Sequence, residues 1–401
     1  MKNNKWMLVC AAIMMMTAQS SYSQGNLETF GFYQAQFVKM KGDYSVKTTL
    51  PAMFGGTKLT LATLGADLAG SNIQQLNLFF RKELSQNFTS WISLQFVNNF
   101  SSTSQNVGKF SLDEVWLKYD YSTALSFKAG LLVPRFNYLH EIKNKTPLLP
   151  YISRPLVYES SVSGTIDPST FLPEKAIAQI SGYLPVNDLT FEYSMFVGQL
   201  DKNYQQPALE SNGISGGLDS VNFKAFGGRA GVKYGDAWFG VSATTDKQLD
   251  NMKLDTTRIQ HINRTRIGLD VGYTIYNVFI EGEYIKVSLD SKVSSKDLGK
   301  EFYYATIGYN FTEDLFAYGT FSKLKDKQID FLSTGMTGTL IGAGYRPDPS
   351  VVVKAQYSTY NVKDAVVAVV LPLGPPIGNY ATNANLNLDY KTYALAVSVL
   401  F

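Results

Sequence analysis

The sequence contains very little cysteine and histidine. Cys10 is the only cysteine, and His140 and His261 are the only histidines among 401 residues. A chain of this kind cannot form an internal disulfide, and it has little material for a cysteine- or histidine-based metal site or a catalytic triad. We therefore predict no cofactor, no metal and no enzymatic activity.

Charged residues are also scarce, at 17%, and their signs nearly balance. The 36 basic and 33 acidic residues give a net charge of +3, and loss of residues 1–23 with Lys2 and Lys5 leaves 34 against 33. Binding to a phosphate backbone needs a pronounced basic excess. The composition therefore predicts no nucleic-acid partner.

Long apolar runs are missing after residue 23, where no stretch reaches 18 consecutive apolar residues. This excludes a typical membrane-spanning helix. Before that point, the mostly apolar run from Trp6 to Ala18 follows a basic amino terminus and precedes the small residues Ser21 and Ser23. The pattern predicts a cleaved export signal at residues 1–23 and one domain at residues 24–401.

The chain is rich in aromatic residues and in alternating segments. It has 25 Tyr, 25 Phe and 4 Trp, and many stretches of about ten residues alternate apolar with polar or small side chains, as transmembrane strands do. The predicted strands are residues 28–39, 74–83, 88–98, 111–121, 124–133, 175–184, 188–199, 224–235, 236–247, 262–274, 276–289, 300–310, 313–325, 337–346, 349–361 and 387–401.

Connection lengths between these segments follow a regular rhythm. Tight connections at residues 84–87, 122–123, 185–187, 235–236, 275, 311–312 and 347–348 alternate with eight longer ones. Outer-membrane barrels have short periplasmic turns and long extracellular loops. We therefore predict an all-β fold, a transmembrane antiparallel barrel of about 16 strands in outer-membrane lipid, with both termini in the periplasm.

The last predicted strand alternates up to the final residue. One face carries Tyr393, Leu395, Val397, Val399 and Phe401. This pattern resembles the carboxy-terminal signal by which bacterial barrel-assembly machinery recognises its clients. We therefore expect that machinery as a partner during assembly.

A barrel of sixteen strands leaves an aqueous lumen unless something fills it. The longest connection, residues 134–174, is the candidate constriction loop, and a cap on the outer surface is the alternative. Its charged or titratable candidates are Arg135, His140, Glu141, Lys143, Lys145, Arg154 and Glu159. His140 beside Glu141 could serve as a metal or proton site, although a histidine that only packs in the loop is the commoner arrangement.

Strand parity selects the residues expected to line the pore. If the apolar parity faces lipid, nine cations and six anions point inward, which predicts a weak anion preference. These candidates are Arg81, Glu83, Glu114, Lys118, Lys128, Glu192, Arg229, Lys233, Arg264, Arg266, Asp270, Glu281, Glu283, Arg346 and Lys354. The alternative is that the charges pair across neighbouring strands and stabilise the wall.

Three segments carry a family resemblance: residues 129–137 (AGLLVPRFN), 147–151 (PLLPY) and 154–159 (RPLVYE). They resemble porins of Bacteroidetes-type bacteria and relatives of phosphate-selective porins. The resemblance implies an outer-membrane porin for passive diffusion of small hydrophilic solutes and ions, and it suggests a homotrimer. Phosphate specificity is not implied, because no oxyanion-binding lysine cluster can be matched.

Two other functions stay open. The barrel could transport a specific or hydrophobic solute, with residues 365–380 as a hatch, or it could be an accessory subunit of an envelope assembly with a blocked lumen. The stretch Gly213-Ile214-Ser215-Gly216-Gly217 satisfies the G-x-S-x-G pattern of hydrolases. Its surroundings are typical of an external loop, not of the strand-turn-helix that a nucleophile needs.

Overall fold

The structure is a computed structural model that describes residues 27–49, 58–99, 109–145, 149–159, 166, 168–199, 224–249, 261–290, 298–372 and 379–401. Sixteen strands close into one antiparallel barrel, in which β1 pairs with β16 and every other neighbour in the sheet is a neighbour in sequence. The predicted all-β barrel is thereby confirmed. Residues 1–23 and the Gly213–Gly217 motif lie outside the described residues.

The strand bounds are close to the predicted ones over most of the chain. The sixteen strands are β1 Glu28–Thr49, β2 Lys58–Glu83, β3 Phe88–Asn99, β4 Lys109–Ser122, β5 Leu125–Leu132, β6 Ala176–Val186, β7 Leu189–Gln199, β8 Lys224–Tyr234, β9 Ala237–Leu249, β10 His261–Ile275, β11 Val278–Asp290, β12 Lys300–Asn310, β13 Leu315–Asp326, β14 Met336–Asp348, β15 Val351–Pro372 and β16 Asn379–Leu400. Among the described residues, no helix is both long and apolar enough to cross a bilayer.

Four strands around the barrel seam are longer than predicted. β1, β2, β15 and β16 have 22, 26, 22 and 22 residues. Pairing of β2 with β3 ends at Ile73, whereas its pairing with β1 continues to Lys58. Pairing of β15 with β14 ends at Val362, whereas its pairing with β16 continues to Pro372. The four strands therefore extend as a ribbon beyond the other twelve.

This ribbon corrects the prediction of a hatch loop at residues 365–380. Residues 365–372 belong to β15, and Asn379 and Tyr380 belong to β16. The reason is that Ala365 and the valines after it find a continuous ladder on β16 and pack partly against the barrel core. A ladder with a packed face is more stable than a free loop of the same residues.

Five of the seven tight turns lie one or two residues away from their predicted places or are longer than predicted, as the turns predicted at residues 275 and 347–348 illustrate. Ile275 belongs to β10 and pairs with Val278, so the turn is made by Tyr276 and Asn277. Tyr276 has a φ of 51°, the left-handed conformation that two-residue hairpins need. Residues 347–348 lie in β14, and the turn to β15 is made by residues 349–350.

The two faces of the sheet differ in character, as β12 illustrates. Phe302, Tyr304 and Thr306 are buried inside the barrel, whereas Tyr303 and Ile307 are exposed on the outside. Successive side chains of a strand point to opposite faces. The outer surface is consequently apolar, and the inner surface carries both polar side chains and large aromatic ones.

Candidate functional site in the barrel interior

The connection between β5 and β6, residues 133–175, is here named L3, and the parts of it that the structure describes lie inside the barrel. It contains one short helix, α1 (Tyr138–Ile142), and 3₁₀ turns at Leu156–Tyr158 and Pro168–Thr170. At its start, the backbone N–H of Asn137 donates to Ser242 Oγ on β9 at 3.0 Å. The next anchor is the N–H of Leu139, which donates to Glu283 Oε1 on β11 at 2.7 Å.

The middle of L3 binds the wall formed by β11, β12 and β15. Tyr151 donates a hydrogen bond to the carboxylate of Glu281, and the N–H of Ile152 donates to Gln356 Oε1 at 2.7 Å. Lys354 Nζ donates to two L3 carbonyls, those of Leu149 at 2.6 Å and Tyr151 at 3.2 Å. The Lys354 side chain is therefore occupied by loop backbone.

Apolar packing fastens L3 to the same half of the barrel. Phe136, Leu139, Leu156, Val157, Tyr158 and Phe171 belong to one buried cluster with wall residues of β11 to β16. The ring of Tyr158 meets Phe302 edge-on at 6.1 Å, and Tyr151 meets Tyr318 edge-on at 5.3 Å. L3 thus fills this side of the lumen with a buried, mostly apolar core.

A cavity of about 360 Å³ lies on the other side of L3. Its wall is formed by the inner faces of β1 to β6, and its opposite side is formed by L3 residues that include Glu141, Asn144 and Lys145. The backbone carbonyl of Asn144 accepts a 2.6 Å hydrogen bond from Gln75 on β2. L3 therefore crosses the lumen and leaves an off-centre space beside β1 to β6.

Aromatic rings form a strip across the cavity wall. Phe30 on β1 contacts Phe79 on β2 at 5.3 Å, and Phe79 contacts Trp91 on β3 at 5.2 Å. Trp91 stacks on Trp116 of β4 with a centroid distance of 5.7 Å and an interplanar angle of 13°. Lys128 on β5 places its Nζ 4.5 Å from the Trp116 ring centroid.

Most charged groups that line the cavity have partners. Arg81 pairs with Glu28 and Glu83, and Lys118 pairs with Asp120 at 2.8 Å. The three cavity carboxylates are each held by a cation or a backbone donor: Asp113 by Lys175 at 3.3 Å, Glu114 by the N–H of Val133 at 3.1 Å, and Glu141 by Arg135 at 3.0 Å. Lys128 and Lys145 form no ion pair with any described carboxylate.

The wall away from the cavity contains a buried ion-pair cluster. Arg229 on β8 binds Asp270 on β10 through two hydrogen bonds of 2.9 and 2.7 Å, and it also binds the carboxylate of Glu192 on β7. Lys233 lies 3.4 Å from the same Glu192. Asp270 therefore follows the alternative in which wall charges pair across strands.

A second cluster lies nearer the long-connection end of β9 and β10. Arg264 and Arg266 have no exposed surface, and both bind the carboxylate of Asp246, at 2.5 and 2.9 Å. Charges buried this deeply need such partners, because an unpaired ion in a dry interior is very costly. These groups are consequently removed from any free surface of the lumen.

The charges of L3 pair mostly within L3. Arg154 lies 3.7 Å from Glu159 and donates to the carbonyl of Lys143 at 2.8 Å. His140 is fully buried, and Lys143 Nζ lies 3.1 Å from its Nδ1. Burial and the charge of Lys143 hold the pKa of His140 well below its usual range, and burial lowers the pKa of Lys143 to about 8. His140 therefore packs in the loop as a neutral imidazole.

Two predicted wall residues lie at the short-turn end of the barrel. Glu83 is exposed and pairs with Arg81. The guanidinium of Arg346 lies 4.6 Å from the Phe316 ring centroid and donates to the carbonyl of Glu313 at 3.4 Å. These side chains are not brought together with L3.

Several interior residues were missing from the prediction, which selected charged residues by strand parity. Asp246, Asp113 and Gln356 hold central positions, and Trp91 and Trp116 form much of the cavity wall. Except for Asp113, which lies in a β-bulge beside Glu114, their position in the alternation of their strands was the available signal. Asp246 follows Ser242 and Thr244 at intervals of two residues, and all three are buried inside.

The barrel closes between its first and last strands. The N–H of Gly31 donates to the carbonyl of Phe401 at 2.8 Å, and the N–H of Phe401 donates back to Gly31 at 3.0 Å. A Cβ on Gly31 would lie 2.5 Å from the carbonyl oxygen of Asn77, so the seam requires glycine here. Tyr393, Leu395, Val397 and Phe401 lie on the outer face of β16.

No protein-family model matches this chain, and no curated protein matches it by sequence. Among solved structures, the anion-selective porin from Comamonas acidovorans superposes with a TM-score of 0.55 at 13% identity, over 94% of this chain and 100% of that one. Salmonella typhi OmpF in complex with daunomycin gives a TM-score of 0.53 at 13% identity, over 95% and 99%. The chain has the fold of a bacterial porin. At this identity the likeness is one of fold alone.

Proposed function

We propose that this porin-like barrel is an outer-membrane channel through which small hydrophilic solutes and ions diffuse passively, with L3 as its constriction. The observation that carries the proposal is the cavity between L3 and strands β1 to β6, because it is a space lined by charged and aromatic side chains inside a closed barrel whose outside is apolar. A barrel of sixteen strands is wide enough for such a path beside a folded loop.

A weak preference for anions is part of the proposal. Most of the charged wall residues predicted from the sequence are neutralised by ion pairs. Lys128 and Lys145 at the cavity, however, have no carboxylate partner among the described residues. Unpaired cations beside a narrow path attract anions and raise their local concentration.

The remaining parts of the proposal follow from the sequence and the fold together. Residues 1–23 are proposed as the cleaved export signal, the barrel-assembly machinery as the partner that recognises β16, and the outer membrane as the location. Short turns are assigned to the periplasm and long connections to the exterior. The proposal also includes a homotrimer, the absence of enzymatic activity and kinship with Bacteroidetes-type porins.

A second candidate is an accessory barrel with a closed lumen. The observation that favours it is the extensive apolar core between L3 and β11 to β16, which fills much of the interior. Such a core stabilises a scaffold as well as it positions a constriction. The two candidates differ in whether ions pass through the space beside β1 to β6.

Conductance of the purified protein in a planar bilayer tests the proposal. We expect discrete single-channel steps in potassium chloride and, in a salt gradient, a reversal potential of the sign that indicates anion preference. Absence of any step from correctly folded protein would instead favour the accessory barrel. Steps with a clear cation preference would leave the channel standing and reject the anion bias.

A further inference from the structure

The aromatic strip and the unpaired cations lie in one cavity. Phe79, Trp91 and Trp116 line the same space as Lys128 and Lys145, and both tryptophans are only partly buried. Large aromatic surfaces inside an aqueous path are unfavourable unless they are covered, because they order water without compensation. Passive flow of small ions does not need aromatic side chains beside cations, so this arrangement indicates a further role for the cavity.

The ring of Trp116 is only partly covered by its surroundings, which are Trp91, Lys128 and the apolar cluster of Leu132, Ala176 and Phe196. Its partner in the β4 and β5 ladder is Gly130, which carries no side chain to cover the indole. Gly130 has a φ of +136°, a conformation that disfavours other residues, and a Cβ there would lie 2.1 Å from the carbonyl oxygen of Val115. The backbone thus keeps this position free of a side chain.

The charge of the cavity that is left without an ion pair is mostly positive. Asp113 and Glu141 are paired with Lys175 and Arg135, and Glu114 accepts a backbone N–H. Among the residues that the structure describes, the ammonium group of Lys128 forms no ion pair, and it lies over the face of Trp116 at 4.5 Å from the ring centroid. An ammonium over an indole is stabilised by the ring, yet it keeps donors for an acceptor on its other side.

We propose that this cavity is a binding subsite for organic anions that carry a ring, such as sugar acids or aromatic acids. The ring would pack against the partly exposed side chains of Trp91 and Trp116, and the carboxylate would bind Lys128, with Lys145 adding to the local positive charge. This inference rests on the proposed channel function and concerns the class of solute that the channel would bind. Small anions without a ring would pass without being held.

Current blockade in a planar bilayer tests this subsite. Wild-type channels in potassium chloride are titrated with sodium benzoate and sodium glucuronate, and with acetate and glucose as probes that lack the ring or the charge. We expect benzoate, glucuronate or both to block the current at concentrations about tenfold below those of acetate and glucose. Blockade by glucuronate alone would identify sugar acids as the ligands of the subsite, and blockade by benzoate alone would identify aromatic acids.

Variants then locate the subsite. Lys128→Met keeps the apolar stem and removes the charge, and Trp116→Leu removes the indole. Each is expected to raise the half-blocking concentration of the ring-bearing anion about tenfold while channels still open in potassium chloride. The matched controls are Lys82→Met and Phe127→Leu, which change exposed residues on the outer faces of β2 and β5.

The outcomes separate the subsite from the channel itself. Equal blocking concentrations for ring-bearing and acyclic anions would overturn the subsite, and so would unchanged blockade in both Lys128→Met and Trp116→Leu. If the wild type conducts no current, the channel proposal fails instead. In that case, binding of benzoate or glucuronate to detergent-solubilised protein, followed by Trp fluorescence in wild type and Lys128→Met, still decides whether the cavity holds the ligand.

Discussion

Tyr158 of L3 donates a 2.5 Å hydrogen bond to Glu283 on β11, and Glu283 also accepts the backbone N–H of Leu139 at 2.7 Å. One wall carboxylate therefore holds two points of L3 that are nineteen positions apart in sequence. All three groups are buried, so their hydrogen bonds are exchanged with water only if L3 moves. Glu283 is consequently one of the wall residues that hold the loop in place, together with Gln356 and Lys354.

We predict that Glu283→Ala loosens L3. The change leaves the Tyr158 hydroxyl and the Leu139 N–H without their acceptor, which costs about 1 to 3 kcal/mol for each buried group. We expect a lower thermal transition in detergent and a larger, noisier single-channel conductance. Tyr303→Phe, which removes a hydroxyl on the outer face of β12, is the control and is expected to change neither quantity. An unchanged conductance in Glu283→Ala would show that Glu283 does not hold L3 in place.

The cluster around Arg229 is predicted to be far more important for stability than the pairs around Arg81. Arg229→Met leaves the buried carboxylate of Asp270 without its partner and Glu192 with Lys233 alone, and breaking a buried pair in this way costs about 3 to 5 kcal/mol. The Arg81 side chain is 42% exposed, and exposed pairs contribute about 0 to 1 kcal/mol. Unfolding of Arg229→Met and Arg81→Met by urea in detergent measures the difference. Similar stabilities of the two variants would contradict the prediction.

Close approach of L3 to β10 depends on a glycine. A Cβ on Gly268 would lie 2.1 Å from Oδ1 of Asn137, the residue at which L3 enters its helix. We predict that Gly268→Ala displaces this entry and destabilises the barrel by about 1 to 3 kcal/mol, the usual cost of overpacking. Gly319→Ala is the matched control, because nothing lies within 4 Å of its Cβ position. Equal melting temperatures of the two variants would show that Asn137 is not held against β10.

Stability is predicted to fall in mildly acidic solution because of His140. Burial holds the pKa of this histidine well below its usual value, with the cations Lys143, Arg266 and Lys175 acting in the same direction. Below a pH of about 6.5 the unfolded chain therefore binds a proton that the folded chain does not, and stability declines by up to about 1.4 kcal/mol per pH unit. Above that pH the imidazole is neutral in both the folded and the unfolded chain, and its titration no longer lowers the stability.

Urea titrations in detergent between pH 7.5 and 5 measure this dependence. His140→Gln is expected to flatten the decline, whereas His261→Gln, which changes the only other histidine in the chain, is expected to retain it. A decline of the same size in His140→Gln would assign the acid sensitivity to other groups.

Much of the barrel could be predicted from local patterns. The alternation in β12, with Phe302 and Tyr304 inside and Tyr303 outside, is visible in the sequence, and so is the number of strands. Strand ends were harder to predict. Residues 58–72 of β2 contain Gly65 and Gly70 and many small residues, and they form a strand because β1 provides a ladder there.

The contacts between side chains inside the barrel could not be predicted from these local patterns. Parity selects the face on which Lys354 lies, but it does not indicate that its ammonium group binds the carbonyls of Leu149 and Tyr151, about two hundred positions away. Likewise, Asp246 and Arg266 lie on neighbouring strands, and their pairing depends on the register between β9 and β10.

The amino-acid sequence alone determined the strand period, the strand number and the closure of the sheet, because side chains alternate over two residues and a bilayer tolerates no unpaired edge. Tertiary structure decided where L3 lies, which charges are paired and where the cavity remains. Those outcomes depend on contacts between residues far apart in the chain, such as Tyr158 with Glu283, and no local pattern encodes them.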